Sequence, residues 1–497
     1  MRLHMLVFTA LLGAAAHGQT LHLDKYGGAF AETTTFTLTG QPNRAYVLFF
    51  DFEETHIDLG PGLQLEVGLD YIGLAARIPG FAGFLNATGV ARVSIVIPPD
   101  PLLVGCVLSL QALLLSPLDT VSNLVRVTPA EVGSFSETLQ APPVTLIRPV
   151  AAPQSDGRVL LASGQSLVGL VYDPDREEFS PTVFPCVTGP LNTATRLADG
   201  RILLAGGIGL DGQPSNRCTV FDLSTGQCTE STMGLPRAGH AAALTATGEV
   251  LIAGGFQLFD FTDLLTAFRG ITNTSELYDP VTNTFRAGPT LLEPKAFHAA
   301  TPTADGGVLV TGGLTLIPVL DIPFVSNTAY KFDAGSGRFG FPVFFGTGRL
   351  LHGAALLDNE QVLLAGGVTI DFSAFLNSGD LADLAITALD DGELWKDGFL
   401  DGRFETIPGL SRGRALPAVL NIPGTRALVA GGLDLYLSGD ISTWVFAPLD
   451  SADLYAAKAF TPAGSMLAAR IDPLGYLLDD GTVLVLGGAS TAEIYQP

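Results

Sequence analysis

Along most of the chain the apolar residues come in runs of four or five, each opened by a turn signal and closed by glycine. DGRVLLASG (156–164), DGRILLAGG (199–207), TGEVLIAGG (247–255), DGGVLVTGG (305–313), NEQVLLAGG (359–367), GTRALVAGG (424–432) and DGTVLVLGG (480–488) are seven copies of one pattern. Their closing pairs begin at 163, 206, 254, 312, 366, 431 and 487, about 54 residues apart on average. Continuous apolar runs this short, bounded by Asp, Gly and Asn, predict strands buried on both faces. A fixed period of this length predicts a propeller or a stacked array.

Two further landmarks travel with each copy. Downstream lie VYDPDREEF (171–179), VFDLSTGQC (220–228), LYDPVTNTF (277–285) and KFDAGSGRF (331–339), in which the aromatic and the closing residue stand seven apart, as in Tyr172 and Phe179. Two strands joined by a tight polar turn explain that spacing. Upstream lie small-residue stretches such as RAGHAAALTATGE and KAFHAATPTADGG. Each unit therefore predicts four antiparallel strands. The paired Gly after an apolar strand, the Tyr-Asp-Pro and the aromatic seven residues on resemble the kelch motif, over about residues 133–497, with Phe where the family's usual Trp stands. The resemblance implies a β-propeller of the galactose-oxidase central-domain type. Units 5 and 6 keep only Glu393-Leu394-Trp395 and Asp453-Leu454-Tyr455 of the second landmark.

The seventh copy stops at Tyr495, short of an outer strand, while Phe135 stands ahead of the first copy at the spacing an outer strand needs. The expected fold is therefore all-β: a seven-bladed kelch-type propeller over 132–497, its last blade closed by residues 133–155. Six blades would require one eroded unit to be an insertion. Residues 19–131 lack the repeat and alternate instead, in ETTTFTLTG, RAYVLFFDF and ARVSIVIP. They predict an N-terminal β-sandwich of immunoglobulin-like type, resembling a β domain of bacterial secreted proteins. Arg2, the apolar run Leu6 to Ala16 and the small residues Ala16 and Gly18 read as a secretory signal peptide over 1–18. The expected location is exported: secreted, periplasmic or at the cell surface.

Charge narrows the partners. A net charge of −23 disfavours nucleic acid and anionic membrane surfaces, which need a basic footprint. The stretch LLVGCVLSLQALLLSPL carries Ser109, Gln111 and Pro117 and reads as buried strands, leaving no transmembrane segment once the signal is removed. Of the four cysteines, Cys218 and Cys228 lie across a predicted hairpin and are the candidate disulfide; free buried thiols are the competing reading.

No copy of the Gly pair leads into a helix or carries Gly-Lys-Ser/Thr, so the glycines are structural rather than a phosphate cradle. His240, His298 and His352 recur at one repeat position, too widely spaced for one ion. No HExxH, CxxC, EF-hand ladder or GxSxG occurs. The expectation is no catalytic residue, no metal and no cofactor. Galactose oxidase binds copper through tyrosines, histidines and a cysteine crosslink, and nothing here matches that set.

Units 3 to 6 carry long insertions at one strand connection: 256–275, 314–329, 368–392 and 433–451. They must emerge on one face, and they carry acids and aromatics together. Phe259, Phe261, Phe324, Asp371, Phe372, Asp380, Asp383, Tyr436 and Trp444 are the candidate binding residues, with Asp390 and Asp391 beside them. The bland alternative is that the aromatics only pack the loops down. The expected function is a non-enzymatic binding protein with a protein or polysaccharide ligand; the alternatives are a carbohydrate-active enzyme, oxidase or lyase, and a structural cell-surface component.

Overall fold

The computed structural model describes residues 21–497 apart from 62, 76, 260–263, 318–319, 321, 380–382, 399–400 and 438–443; the segment read as a signal peptide lies outside these. Each apolar run becomes a strand with every residue buried, as in Val159–Ala162, Ile202–Ala205, Val250–Ala253, Val308–Thr311, Val362–Ala365 and Val483–Leu486. Such strands sit second in a four-stranded antiparallel unit, with neighbouring units covering both faces, which is why they do not alternate. In the first unit Val150–Pro153, Val159–Ala162, Val168–Asp173 and Glu178–Val183 pair in sequence order. The seven-residue spacing is the register itself: Tyr172 faces Phe179, Tyr278 faces Phe285 and Phe332 faces Phe339.

Among the described residues seven such sheets occur, innermost strands Val150–Pro153, Thr193–Arg196, Ala241–Leu244, Ala299–Pro302, Gly353–Leu356, Ala418–Ile422 and Leu474–Leu477. Each innermost strand lies against the next, and Leu474–Leu477 lies against Val150–Pro153, so they form a closed cycle around one axis. The last sheet draws on both ends of the chain: Phe135–Glu137 pairs with Glu493–Tyr495. Apolar clusters fill the seams between consecutive sheets. Leu161 and Tyr172 of the first sheet, for example, pack with Leu484 and Ile494 of the seventh.

The glycine pairs are set by a contact between sheets. Gly255 N donates to the Lys295 carbonyl of the following sheet at 2.7 Å, and Gly313 N does the same to Arg349 at 2.8 Å. A Cβ on the preceding glycine would meet that carbonyl, at 2.2 Å for both Gly254 and Gly312, and both glycines have positive φ.

Ahead of the ring, His22–Tyr26, Thr33–Thr39 and Val90–Val96 form one sheet, and Ala45–Asp51, Ala82–Phe84, Leu108–Leu115, Thr120–Val121 and Val125–Val127 another. They share one core, with Leu23, Phe36 and Leu38 against Leu48, Phe50, Leu110 and Leu114. No helix among the described residues is long and apolar enough to cross a membrane. This region docks on the seam between the seventh and first sheets. Lys25 Nζ donates to the Arg126 carbonyl at 2.8 Å and lies 3.5 Å from both Glu177 and Asp480. Burial alone would lower the Lys25 pKa, but Asp480 and Glu177 outweigh it and hold it above the ordinary lysine value. Arg126 adds pairs to Glu54 and Glu178, both at 2.6 Å.

The expected Cys218–Cys228 bond is corrected. Across their hairpin Cys218 faces Ser231 and Cys228 faces Phe221, so the two thiols stand three pairs apart on opposite faces. Cys228 instead joins Cys186, 42 residues away in sequence, while Cys218 is buried and Cys106 is also free. The bridge ties the segment leaving the first sheet to the outer strand of the second. Burial pushes the Cys218 thiol up to about 12, which makes it an inert core residue.

Candidate active site

Strand alternation puts two sets of connections on one face of the ring: those after the glycine pairs, and the approach segments that lead from each outer strand to the next innermost strand. The approach segments repeat residue by residue. Arg237, Lys295, Arg349, Arg414 and Arg470 occupy one repeat position, all with fully buried side chains. Each is neutralised by a carboxylate: Glu276 at 3.3 Å, Glu293 at 2.6 Å, Asp391 at 3.0 Å, Asp453 at 2.7 Å and Glu493 at 2.8 Å. Their donors also reach the carbonyl of the first glycine, as Arg349 Nη1 does at Gly366, 2.9 Å. These charges are framework. The fourth sheet shows the rule by its exception, since Tyr330 stands where the acid should be and Glu293 supplies it from the approach segment. Burial lowers the Lys295 pKa to about 8, with Glu293 offsetting part of the effect.

Three residues on come His240, His298 and His352. Each ring sits between two glycine pairs: a Cβ on Gly206 would stand 2.9 Å from His240 Cε1, and one on Gly255 would stand 2.9 Å from His240 Cβ. His240 Nε2 bonds Thr193 Oγ1 at 2.8 Å and His352 Nε2 bonds Thr311 Oγ1 at 2.8 Å. His298 has neither partner, because Ala241 and Ala253 stand at the two equivalent positions, and both its ring nitrogens are buried without a hydrogen bond. Burial holds His240 and His352 down to about 3 and His298 well below the ordinary value, so all three are neutral. Among the described residues no group of three His, Cys, Asp or Glu side chains is placed to hold a metal ion.

Between the cation and the innermost strand, one residue per sheet takes a positive φ: Arg148, Leu191, Gly239, Phe297, Leu351, Leu416 and Asp472. They form the lip of the ring at its axis. Four backbone bonds link them head to tail, from Gly239 N to Leu191 O, Phe297 N to Gly239 O, Leu351 N to Phe297 O and Leu416 N to Leu351 O. The links stop at the seventh and first sheets. There an ion pair replaces them, Arg148 Nε to Asp472 Oδ2 at 2.8 Å, with side chains 41% and 27% exposed. The rest of the lip is apolar. Burial raises the Asp472 pKa above the ordinary carboxylate value, and Arg148 offsets only part of the effect. Arg148 Nη1 and Nη2 make no hydrogen bond among the described residues, so a carboxylate that is a stronger base than usual stands beside a guanidinium with donors to spare. The sequence reading did not single out this pair, whose only signal was that charge stands where the other units carry Leu, Gly or Phe.

The four insertions build a wall around part of this mouth. Helix Leu264–Arg269 lies against hairpin Leu314–Ile317/Ile322–Val325, that against Val368–Asp371/Ala385–Ala388, and that against Leu433–Leu437. Their apolar side chains form a core of their own, with Phe268, Phe372 and Phe375 buried together. Phe372 is 5% exposed and stacks edge-on with Phe268 at 5.8 Å. It is wall structure rather than a presented anchor, and the half-buried Phe259, 5.1 Å from Phe256, packs the same way. Phe324 is half-buried, Asp383 is exposed, and the exposed Asp371 caps Ser373 N at 2.8 Å. Phe261 and Asp380 lie outside the described residues. Tyr436 and Trp444 sit on paired strands, opposite Val445 and Leu437, and their side chains are outside the described set.

The fold is a β-propeller of the galactose-oxidase or kelch type. It aligns with a solved fungal alcohol oxidase, described as catalytically diverse within the AA5 family and in complex with copper, over 73% of this chain and 76% of that one, at 18% identity and a TM-score of 0.51. A second solved structure, YjhT, aligns over 65% of this chain and 99% of its own at 16% identity and a TM-score of 0.47. No protein-family model and no curated protein matches the sequence. The comparison corrects the expectation of a non-enzymatic binding protein. The fold is one this chain shares with a solved enzyme, the alcohol oxidase. Among the described residues the donors of the ring do not fit copper: its three histidines are sealed between sheets and its free thiol, Cys218, is buried in a seam, while His22, His56 and Cys106 belong to the N-terminal region.

Proposed function

We propose that this chain is a carbohydrate-active enzyme of the lyase kind, working at the Arg148–Asp472 pair. The observation that carries the reading is that this pair interrupts an otherwise apolar, backbone-linked lip, at the side of the mouth that the wall leaves open. Arg148 pairs with the carboxylate of an acidic sugar and stabilises the charge that develops there. Asp472, made more basic than an ordinary carboxylate by its burial, takes the proton from the carbon next to that sugar carboxylate. The C–H electrons form the double bond, the C–O bond to the next sugar breaks, and the departing oxygen recovers a proton from Asp472 or water. The test is a screen of oligosaccharides containing a uronic acid, following the ultraviolet absorbance of the unsaturated product. Turnover by the native protein and a loss of 100-fold or more, on the order expected for a general base, in Asp472→Asn is the expected result. An equally active Asp472→Asn variant would falsify the assignment.

The architecture around the site belongs to the same proposal. Residues 132–497 are taken as a seven-bladed propeller closed by 133–155, supported by the cycle of innermost strands and the pairing of Phe135–Glu137 with Glu493–Tyr495. Residues 19–131 are taken as an immunoglobulin-like β-sandwich, supported by two sheets over one core. Residues 1–18 are taken as the signal for export; mass measurement of protein recovered outside the cytoplasm should place the new N-terminus at Gln19.

A further inference from the structure

Resting on that reading of the mouth, we infer that the substrate is one acidic sugar set within an otherwise neutral glycan, whose flanking units lie across the open side of the ring. The wall is one-sided. Its helix and hairpins rise from the third to sixth sheets, whereas the connections after the glycine pairs in the first and seventh sheets run only from Gly164 to Val168 and from Gly488 to Glu493. Arg148 and Asp472 belong to those two low sheets, so the reacting position lies at the open side and not under the wall. A single sugar would need no such opening; a chain extended in both directions does.

What the open side offers fits neutral sugar rings. Ile147 and Ile471, next in sequence to the two charged residues, and Leu167 on the short connection of the first sheet are all exposed. Apolar side chains of this kind cover the C–H faces of sugar units and make no demand on charge. The far side of the mouth is lined with carboxylates, Asp371, Asp383 and Asp390 being exposed on the fifth-sheet insertion, and the chain as a whole carries −23. A polyanionic glycan meets this excess of carboxylates along its length, with Arg148 the cation that stands beside Asp472. A glycan with a single carboxylate meets the partner and little of the repulsion.

The experiment compares three substrates: a disaccharide containing one 4-linked uronate, a neutral oligosaccharide of eight to ten units with one internal uronate, and an oligouronate of that same length. At low ionic strength kcat/KM should be about tenfold higher for the singly charged oligosaccharide than for the disaccharide. It should be lowest for the oligouronate and recover for that substrate as salt screens the rim. Leu167→Ser should raise KM for the singly charged oligosaccharide several-fold more than for the disaccharide. Equal kcat/KM for disaccharide and oligosaccharide, or preference for the oligouronate at low salt, would overturn this inference; loss of the disaccharide activity in Asp472→Asn would then still uphold the lyase reading. If none of the three is turned over, the lyase reading fails and this inference with it.

Discussion

Arg414 Nη2 lies 2.7 Å from Asp453 Oδ2, and neither side chain has any contact with solvent. The pair spans one sheet from its approach segment to its third strand, and four other sheets carry a cation at the same position. Removing one partner leaves an uncompensated buried charge. Asp453→Ala should lower stability by about 3–5 kcal/mol. The first sheet does without charge altogether, with Leu146 and Leu170 at the two positions, both buried in one cluster. Replacing Arg414 and Asp453 together by leucine should therefore recover most of the loss; the midpoint of urea unfolding for the two variants checks both.

Gly254 has φ +64° and faces the Lys295 carbonyl, 2.2 Å from where a Cβ would stand. Gly254→Ala should cost about 2–4 kcal/mol, the left-handed backbone and the overlap both contributing. The turn residue Gly248, with φ +85° and nothing within reach of a Cβ, should lose only the backbone part, about 1 kcal/mol. Thermal melts of the two alanine variants separate close approach from conformation.

His298 is buried without a partner because Ala253 stands where the next sheet has Thr311. Ala253→Thr should supply the bond that Thr311 gives His352 and stabilise the protein by about 1 kcal/mol. Nitrogen chemical shifts of the His298 ring would report the new bond, and an unchanged spectrum would refute it.

Asp175 sits in the turn that the first sheet pushes into the N-terminal region, held by Asn123 Nδ2 at 2.7 Å. Burial, with Asp173 adding to it, raises its pKa to about 6. The folded protein therefore holds a proton there that the unfolded chain has given up between about pH 4 and pH 6, so this group's contribution to stability falls across that window and is lowest above it. Asp175→Asn should stabilise the protein at pH 7 by about 2–3 kcal/mol. The gain should vanish near pH 3, where both forms are neutral, and melts at the two pH values check it.

The repeat was legible because each position is dictated by packing that every unit shares. The apolar run is covered on both faces in every sheet, and Tyr172 and Phe179 face each other because a two-strand hairpin with that turn allows no other register. The buried cations were visible in RAGH, KAFH and RLLH, and the acids in Glu276-Leu277-Tyr278 and Glu393-Leu394-Trp395, but their pairing joins residues about 40 apart and needs the fold to be seen. The mouth was hidden for a different reason. Arg148 and Asp472 come from sheets at opposite ends of the chain, and only ring closure makes them neighbours. The loop aromatics misled because a phenylalanine in an insertion reads alike whether it faces solvent or, as Phe372 does, a small core of its own.

Phe135–Glu137 and Glu493–Tyr495 share one sheet, so the earlier strand has no partner until Glu493–Tyr495 has been made. The Ser136 hydroxyl finally meets the Ile494 carbonyl across 358 residues of sequence. Contacts this remote are made slowly and leave an unpaired edge exposed while they wait. The N-terminal sheets share that delay, since Gly27 N bonds the carbonyl of Asp480. Because Arg148 and Asp472 flank the same seam, they become neighbours only when that seam closes, and the reaction proposed for them should appear only once Glu493–Tyr495 is in place.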